Sequence, residues 1–201
     1  KLNTNTKSLI RIGTRGSKLA LAQAHELRSS LEKANDVLNQ PNAIEIVVIK
    51  TTGDKIQDRS LSEIGGKGLF MKEIEQALLD NKIDLALHSM KDVETELTPG
   101  TDLACILPRE EINEAFLSNT ARNLDELKHS AKVGTSSVRR AALLKNKRPD
   151  LIITLFRGNV ETRLSKLDKG EVDATLLAVA GLKRLNLEHR ITKFLSLEEM
   201  P

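Results

Sequence analysis

The sequence predicts an α/β protein of two domains, each with helices packed on a largely parallel sheet. Three observations carry this. Short β-branched or apolar runs alternate with amphipathic stretches at helical spacing along the chain. The turn from strand to helix is punctuated twice in the same way, by Ile12-Gly13-Thr14-Arg15-Gly16-Ser17 and by Val133-Gly134-Thr135-Ser136-Ser137. The length, 201 residues, suffices for one large domain or two small ones with real cores. The pattern sets domain one at residues 1–107 and domain two at 108–201, with a hinge near Leu107–Asn113.

In the first half, Leu9–Gly13 reads as a strand. Ser17–Asp36 follows as a helix, with Ser17 as N-cap and Leu19, Ala20, Gln23, Ala24, Leu27 and Leu31 at helical spacing. Ile44–Lys50 is a β-branched strand, Leu69–Asn81 a helix and Ile83–His88 a strand. Leu103–Pro108 reads as a further strand, which would bury the single cysteine, Cys105, as a core thiol. The polar stretch Thr52–Gly68 is long for a connection and reads as a mobile lid or binding loop, with mobility expected over Asp54–Ile64. In the second half, Leu124–His129 reads as a short helix, Lys132–Gly134 ends a strand, and Val138–Asn146 is a helix. Leu151–Phe156 is a strand, Val160–Lys169 a helix closed by Gly170, and Val172–Val179 a strand, after which Gly181–Leu185 opens a short helix.

Composition narrows the function. Hydrophobic residues make up 39% and charged residues 29%, as in soluble globular proteins, and no apolar run is long enough to span a bilayer. Lys1–Ser8 has no apolar core of a signal peptide, and one cysteine excludes an internal disulfide, so a cytoplasmic location is expected. With 2% aromatic residues there is little to stack on bases, which argues against a nucleic-acid partner. The net charge of +3 is uneven. Residues 1–112 hold 15 Lys and Arg against 17 Asp and Glu, whereas residues 113–201 hold 16 against 11, so positive charge gathers in the second half and points to an anionic ligand.

Ligands of open α/β sheets bind beyond the carboxyl ends of the strands. Cations recur there: Arg15, Lys91, Arg139 and Arg140, Arg157 with Arg163, and Lys183 with Arg184. Guanidinium forks and helix N-termini both favour carboxylates and phosphates, so the pattern predicts a pocket for a small molecule with several anionic groups. Asp92, beside Lys91, is the exception in sign. It would stabilise a cation on a substrate or relay a proton, or else form a loop-capping pair with Lys91. Gly65-Gly66-Lys67-Gly68 lacks the Ser or Thr of a phosphate loop, and four dispersed histidines give no metal set, so no metal is expected.

Leu87-His88-Ser89-Met90-Lys91-Asp92-Val93 resembles the signature segment of the porphobilinogen deaminase (hydroxymethylbilane synthase) family. Ile12–Ser17, Gly65-Gly66-Lys67-Gly68-Leu69-Phe70, Val133–Arg140, Arg157-Gly158-Asn159-Val160-Glu161-Thr162-Arg163-Leu164 and Ala180-Gly181-Leu182-Lys183-Arg184-Leu185 fit the same family in the same order. The resemblance implies two domains like the lobes of periplasmic binding proteins with an interdomain cleft, followed by a third, α+β domain absent from this chain. It implies a monomeric transferase of haem biosynthesis that condenses four porphobilinogen molecules into linear hydroxymethylbilane with release of ammonia. It also implies a dipyrromethane cofactor, held covalently by a cysteine in a Gly-Gly-Cys loop of the third domain. Cys105 does not match that cysteine, so this chain alone is expected to be inactive. By the resemblance Asp92, with Lys91, is catalytic and supports the azafulvene cation formed on loss of ammonia. Lys91, Asp92, Ser137, Arg139, Arg140, Arg163 and Arg184 match cofactor-binding positions, and Arg15, Ser17, Phe70, Arg157 and Arg163 match substrate-binding ones. Glu94 departs from the family, where a Pro commonly follows the Val. The alternative is a two-lobed, non-enzymatic receptor for a small polyanion.

Overall fold

The computed structural model describes residues 8–55 and 68–201. The chain divides into two compact units, Lys1–Ile106 and Leu107–Pro201.

The first unit is built on a three-stranded sheet. β1 (Ile10–Thr14) lies between β2 (Ile44–Val48) and β3 (Leu85–Ala86), and both pairings are parallel, with Ile12 opposite Ile46 on one side and Leu85 on the other. The β-branched run of β1 buries Ile12 completely. At Gly13 a Cβ would lie 2.2 Å from Ile83, so only glycine lets the segment leading into β3 pack against β1. Helix α1 (Lys18–Ala34) connects β1 to β2 and starts where Ser17 accepts a hydrogen bond from the Ala20 amide at 3.2 Å. A single helical turn, α2 (Thr52–Lys55), and helix α3 (Lys72–Leu79) precede β3. α3 turns Ile74 and Ala77 onto Ile83, with Val47, Ile49, Leu78 and Ala86 around them.

Three expectations change here. The helix expected over Leu69–Asn81 starts only at Lys72, because Gly68, at φ +70°, and the next residues form a turn into it. The polar stretch after Thr51 opens with α2, which includes Asp54 and Lys55. The rest of the segment expected to be mobile, and Gly65-Gly66-Lys67, lie outside the described residues. Leu103–Pro108 is not a strand, and Cys105 is exposed rather than buried. β propensity alone does not make a strand; among the described residues none offers this segment a hydrogen-bonding ladder, and Ile106 stays largely exposed.

The second unit carries a five-stranded mixed sheet in the order β6-β5-β7-β4-β8. β5 (Lys132–Gly134), β6 (Ile152–Thr154) and β7 (Ala174–Ala178) are parallel neighbours, joined through helices α4 (Val138–Lys147) and α5 (Val160–Asp168). β4 (Glu114–Ser118) runs antiparallel to both β7 and β8 (Lys193–Leu195), so this sheet is less parallel than expected. Helix α6 (Val179–Arg184) leaves β7 directly. Alternation along the central strands fills both faces: Phe116 and Leu176 join Val133, Leu144 and Leu151 on one side, while Ala115, Leu117 and Leu177 join Phe156, Leu164 and Leu182 on the other.

Leu124–His129 is not helical. The Asn123 side chain accepts the amides of Asp125 (2.9 Å) and Glu126 (3.0 Å), a local turn that competes with helix, and Ser130 adopts φ +60°. Among the described residues no helix is long and apolar enough to cross a membrane.

Candidate anion-binding and catalytic site

In the first unit the chemistry gathers around Arg15, the residue after β1. Its Nε donates to the Asp54 carboxylate at 3.0 Å, Nη2 completes the ion pair, and Nη1 lies 4.0 Å from Oδ2 of Asp92. The guanidinium stacks on Phe70, its Cζ 4.0 Å from the ring centroid. Asp92 ends a 3-10 turn, Met90–Asp92, that follows β3; the Asp92 amide bonds to the Ser89 carbonyl at 2.8 Å, and the Ser89 hydroxyl reaches Gln23 of α1 at 3.2 Å. Burial alone would raise the Asp54 pKa, but hydrogen bonds from Arg15 and Thr51 outweigh it and hold the carboxyl below its ordinary value. Lys91 is exposed, and among the described residues no ion pair joins it to Asp92, so Asp92 is not engaged in a loop-capping pair with its neighbour. Ser17 spends an oxygen lone pair on the helix cap and keeps its own O–H to donate. Glu94, the departure from the family pattern, accepts the Gly68 amide and so ties the turn into α3 to the segment after Asp92.

Beside Asp92, His88 is half-buried with Nε2 unpartnered. Burial keeps its pKa below the ordinary 6.5, outweighing the charges of Glu75 and Asp92.

In the second unit two arginines share one carboxylate, and two more lie near them. Glu114, at the start of β4 and 5% exposed, accepts from Arg139 and, on both oxygens, from Arg140, with Nε at 2.9 Å and Nη2 at 2.6 Å. Arg140 also donates to the Leu176 carbonyl at 3.1 Å. Both arginines sit on the first turn of α4, which Ser137 caps by accepting the Arg140 amide at 3.3 Å. Arg157 is buried in the loop before α5, and Asn159 caps that helix through the Thr162 amide at 2.8 Å. Arg163, one turn into α5, donates Nε to the Gly158 carbonyl at 2.9 Å. Burial, and then the charges of Arg140 and Arg157, push its pKa down to about 10. The guanidiniums of Arg140 and Arg157 thus lie close enough to disfavour the charge of Arg163. The Ser136 hydroxyl nearby in sequence is buried and has no hydrogen-bond partner among the described residues. Arg184 ends α6, where its charge and that of Lys183, added to the Glu111 amide bond, lower the Glu110 pKa.

The structure thus brings Arg15, Phe70 and Asp92 together in one unit and Arg139, Arg140, Arg157 and Arg163 in the other. Sequence reasoning missed Asp54 and Glu114, the carboxylates that orient these arginines. Asp54 is one acid in a polar stretch, 39 residues from Arg15, and Glu114 opens a strand that was not foreseen. Among the described residues no three His, Cys, Asp or Glu side chains are placed to hold a metal.

Two α/β units, with arginines at the helix N-termini that follow their strands, define a protein of the periplasmic-binding-protein fold class. The chain resembles an ABC transporter periplasmic substrate-binding protein from Coxiella burnetii (TM-score 0.53, 16% identity, 93% of this chain and 79% of that one). It also resembles the periplasmic VFT2 domain of Bordetella pertussis BvgS (TM-score 0.52, 13% identity, 93% and 75%); at these identities the likeness concerns the fold. Within that class the chain belongs to the porphobilinogen deaminase family. Residues 10–201 match the family model described as porphobilinogen deaminase, dipyromethane cofactor binding domain. The chain is 58% identical over 193 residues to the chloroplastic porphobilinogen deaminase of Oryza sativa subsp. japonica, covering 96% of this chain and 54% of that protein. It is 54% identical over 194 residues to the porphobilinogen deaminase of Nitrobacter hamburgensis, covering 96% and 61%. The chain therefore spans little more than half the length of the curated relatives it matches.

Proposed function

We propose that this chain forms the first two domains of a hydroxymethylbilane synthase, which condenses four porphobilinogen molecules stepwise into linear hydroxymethylbilane with release of ammonia. The observation that carries the proposal is the gathering of Arg140 and Arg157 around Arg163, whose pKa is pushed down to about 10 by burial and then by their charges. Dipyrromethane, two linked pyrroles each bearing two carboxylates, fits such a place, and the Ser136 hydroxyl adds a hydrogen-bond donor. In this reading Ser137, Arg139, Arg140, Arg163 and Arg184, with Lys91 and Asp92, hold the cofactor. When bound, the dipyrromethane supplies the chain end to which each new pyrrole is joined.

Arg15, Ser17, Phe70, Arg157 and Arg163 take the carboxylates and ring of the incoming unit. Asp92 is the catalytic carboxylate: half-buried, it faces the pyrrole nitrogen and stabilises the positive charge that develops as ammonia leaves. A pure polyanion receptor gains nothing from Asp92 beside Arg15, which is why the enzyme reading is preferred. The proposal extends to a monomer acting on small polycarboxylates, without nucleic acid or membrane. It places the protein in a reducing compartment, the cytoplasm or a plastid like that of the plant relatives, which suits an exposed free Cys105.

The test uses the natural full-length protein. Its intact mass is expected to exceed the polypeptide mass by two pyrrole units, and it is expected to consume porphobilinogen with ammonia release, while residues 1–201 alone form no hydroxymethylbilane. A full-length protein with neither adduct nor turnover would overturn the proposal.

A further inference from the structure

We infer that Asp54 is a positioning residue that keeps Asp92 available for catalysis by holding Arg15 off it. The inference rests on the catalytic role proposed for Asp92.

Arg15 has two carboxylates within reach and uses them unequally. Asp54 takes the side edge of the guanidinium, with Nε 3.0 Å from Oδ1 and 3.3 Å from Oδ2, and Nη2 bonded as well. Asp92 is left at 4.0 Å from Nη1, outside hydrogen-bonding distance. The bonds to Asp54 use Nε and one side of Nη2, so they leave the end edge of the fork for a substrate carboxylate. Phe70 lies under the plane and limits its swing.

Asp54 is itself fixed. The fully buried Thr51 donates its hydroxyl to Oδ2 at 2.8 Å, and the Asp54 amide bonds to the Thr51 carbonyl at 3.2 Å. The Gly53 amide bonds to the Leu69 carbonyl at 2.8 Å, and a Cβ on Gly53 would lie 2.3 Å from the Phe70 ring. One short turn thus sets both the acid that grips Arg15 and the ring that Arg15 rests on.

The consequence is electrostatic. Arg15, Asp54 and Asp92 together carry one net negative charge, which favours a cation on the substrate. Without the Asp54 charge the trio is neutral, and among the described residues the acid left beside Arg15 is Asp92. Arg15 then closes onto Asp92, whose charge is spent on a neighbour that is already positive.

The test is Asp54→Asn in the full-length protein. The expected result is a kcat for porphobilinogen consumption lower by roughly tenfold or more, with KM within about threefold of wild type, because the loss falls on the transition state. A crystal structure of the variant is expected to show Arg15 closing on Asp92 to about 2.8 Å. In an Arg15→Gln background the same change is expected to alter kcat by less than about twofold, since no guanidinium remains to be released. Asp54→Glu, which keeps the charge, is expected to recover most of the rate. An unchanged kcat, or an equal loss in the Arg15→Gln background, would overturn the inference. Should Asp54→Asn not fold, Thr51→Val takes its place: a smaller kcat loss that vanishes with Arg15→Gln supports the inference, and no loss or a persisting one defeats it. A near-wild-type Asp92→Asn enzyme would instead remove the reading beneath it, whatever Asp54 does.

Discussion

The two units treat their arginines in opposite ways. In the first, one guanidinium stands among two carboxylates, Asp54 and Asp92, with an aromatic face beneath it. In the second, Arg139 and Arg140 share Glu114 while Arg140 and the buried Arg157 bear on the half-buried Arg163. A cluster that supplies its guanidinium with carboxylates fixes a geometry and needs no ligand to be stable. An unbalanced one is held in place by the fold at a cost, and an incoming anion relieves that cost. The contrast fits the proposed function, with chemistry in the first unit and retention of a polycarboxylate in the second.

The strongest way to break this contrast is at Glu114. Glu114→Ala leaves the nearly buried Arg140, and the more open Arg139, without their shared carboxylate, and is expected to lower the unfolding free energy by about 3–5 kcal/mol in a urea titration. A loss below about 1 kcal/mol would mean that the second unit tolerates its charge without a built-in acid.

Next in size is Asp92→Asn, which keeps the shape and removes the charge. The rate of the first pyrrole addition, followed by stopped flow, is expected to fall about a hundredfold, equivalent to ~3 kcal/mol, with an unchanged melting temperature. The reverse pattern, a normal rate with a lowered melting temperature, would make Asp92 a structural residue and erase the distinction between the units.

A third experiment sharpens the second unit. Citrate at about a hundred times its Kd is expected to stabilise the full-length protein, freed of cofactor, by about 2.7 kcal/mol, and Arg163→Gln to remove most of that gain. The sign with pH follows from Arg163. Its folded value of about 10 lies below the ordinary value of a guanidinium, so the charged group costs stability at any pH below about 10, and the cost lifts as pH rises from there. The citrate effect is therefore expected to fade as pH passes through about 10. An effect equal in the Arg163→Gln protein would place the anion elsewhere.

The smallest effect is at His88 in the first unit. Burial lowers its pKa in the folded protein, so the unfolded chain binds a proton first and stability is lost as pH falls below about 6.5. His88→Gln is expected to flatten the melting temperature between pH 7 and pH 5. A slope as steep as wild type would assign that loss to other groups.

Elements whose cause is local were legible in the sequence. Ser17 caps its helix as expected, Ser137 stands before a helix as expected and caps it, and β1 and β7 are apolar runs as expected. What failed was non-local. Leu103–Pro108 has strand composition but no ladder partner among the described residues, whereas Glu114–Ser118, with a charged first residue, is a strand because β7 and β8 flank it. Of the site, the arginines and Asp92 stood out by type and position. Asp54 and Glu114 did not, because an acid becomes a clamp only once folding brings a distant guanidinium to it.

The exposed thiol of Cys105 lies one residue before the break between the two units, and this sequence holds no second cysteine. A maleimide dye or spin label on residues 1–201 would therefore attach at a single known point, on irregular backbone with no ladder to disturb. The residue that the sequence seemed to consign to the core offers instead a spectroscopic window on the junction, from which fluorescence anisotropy or electron paramagnetic resonance can report its local motion as ligands bind.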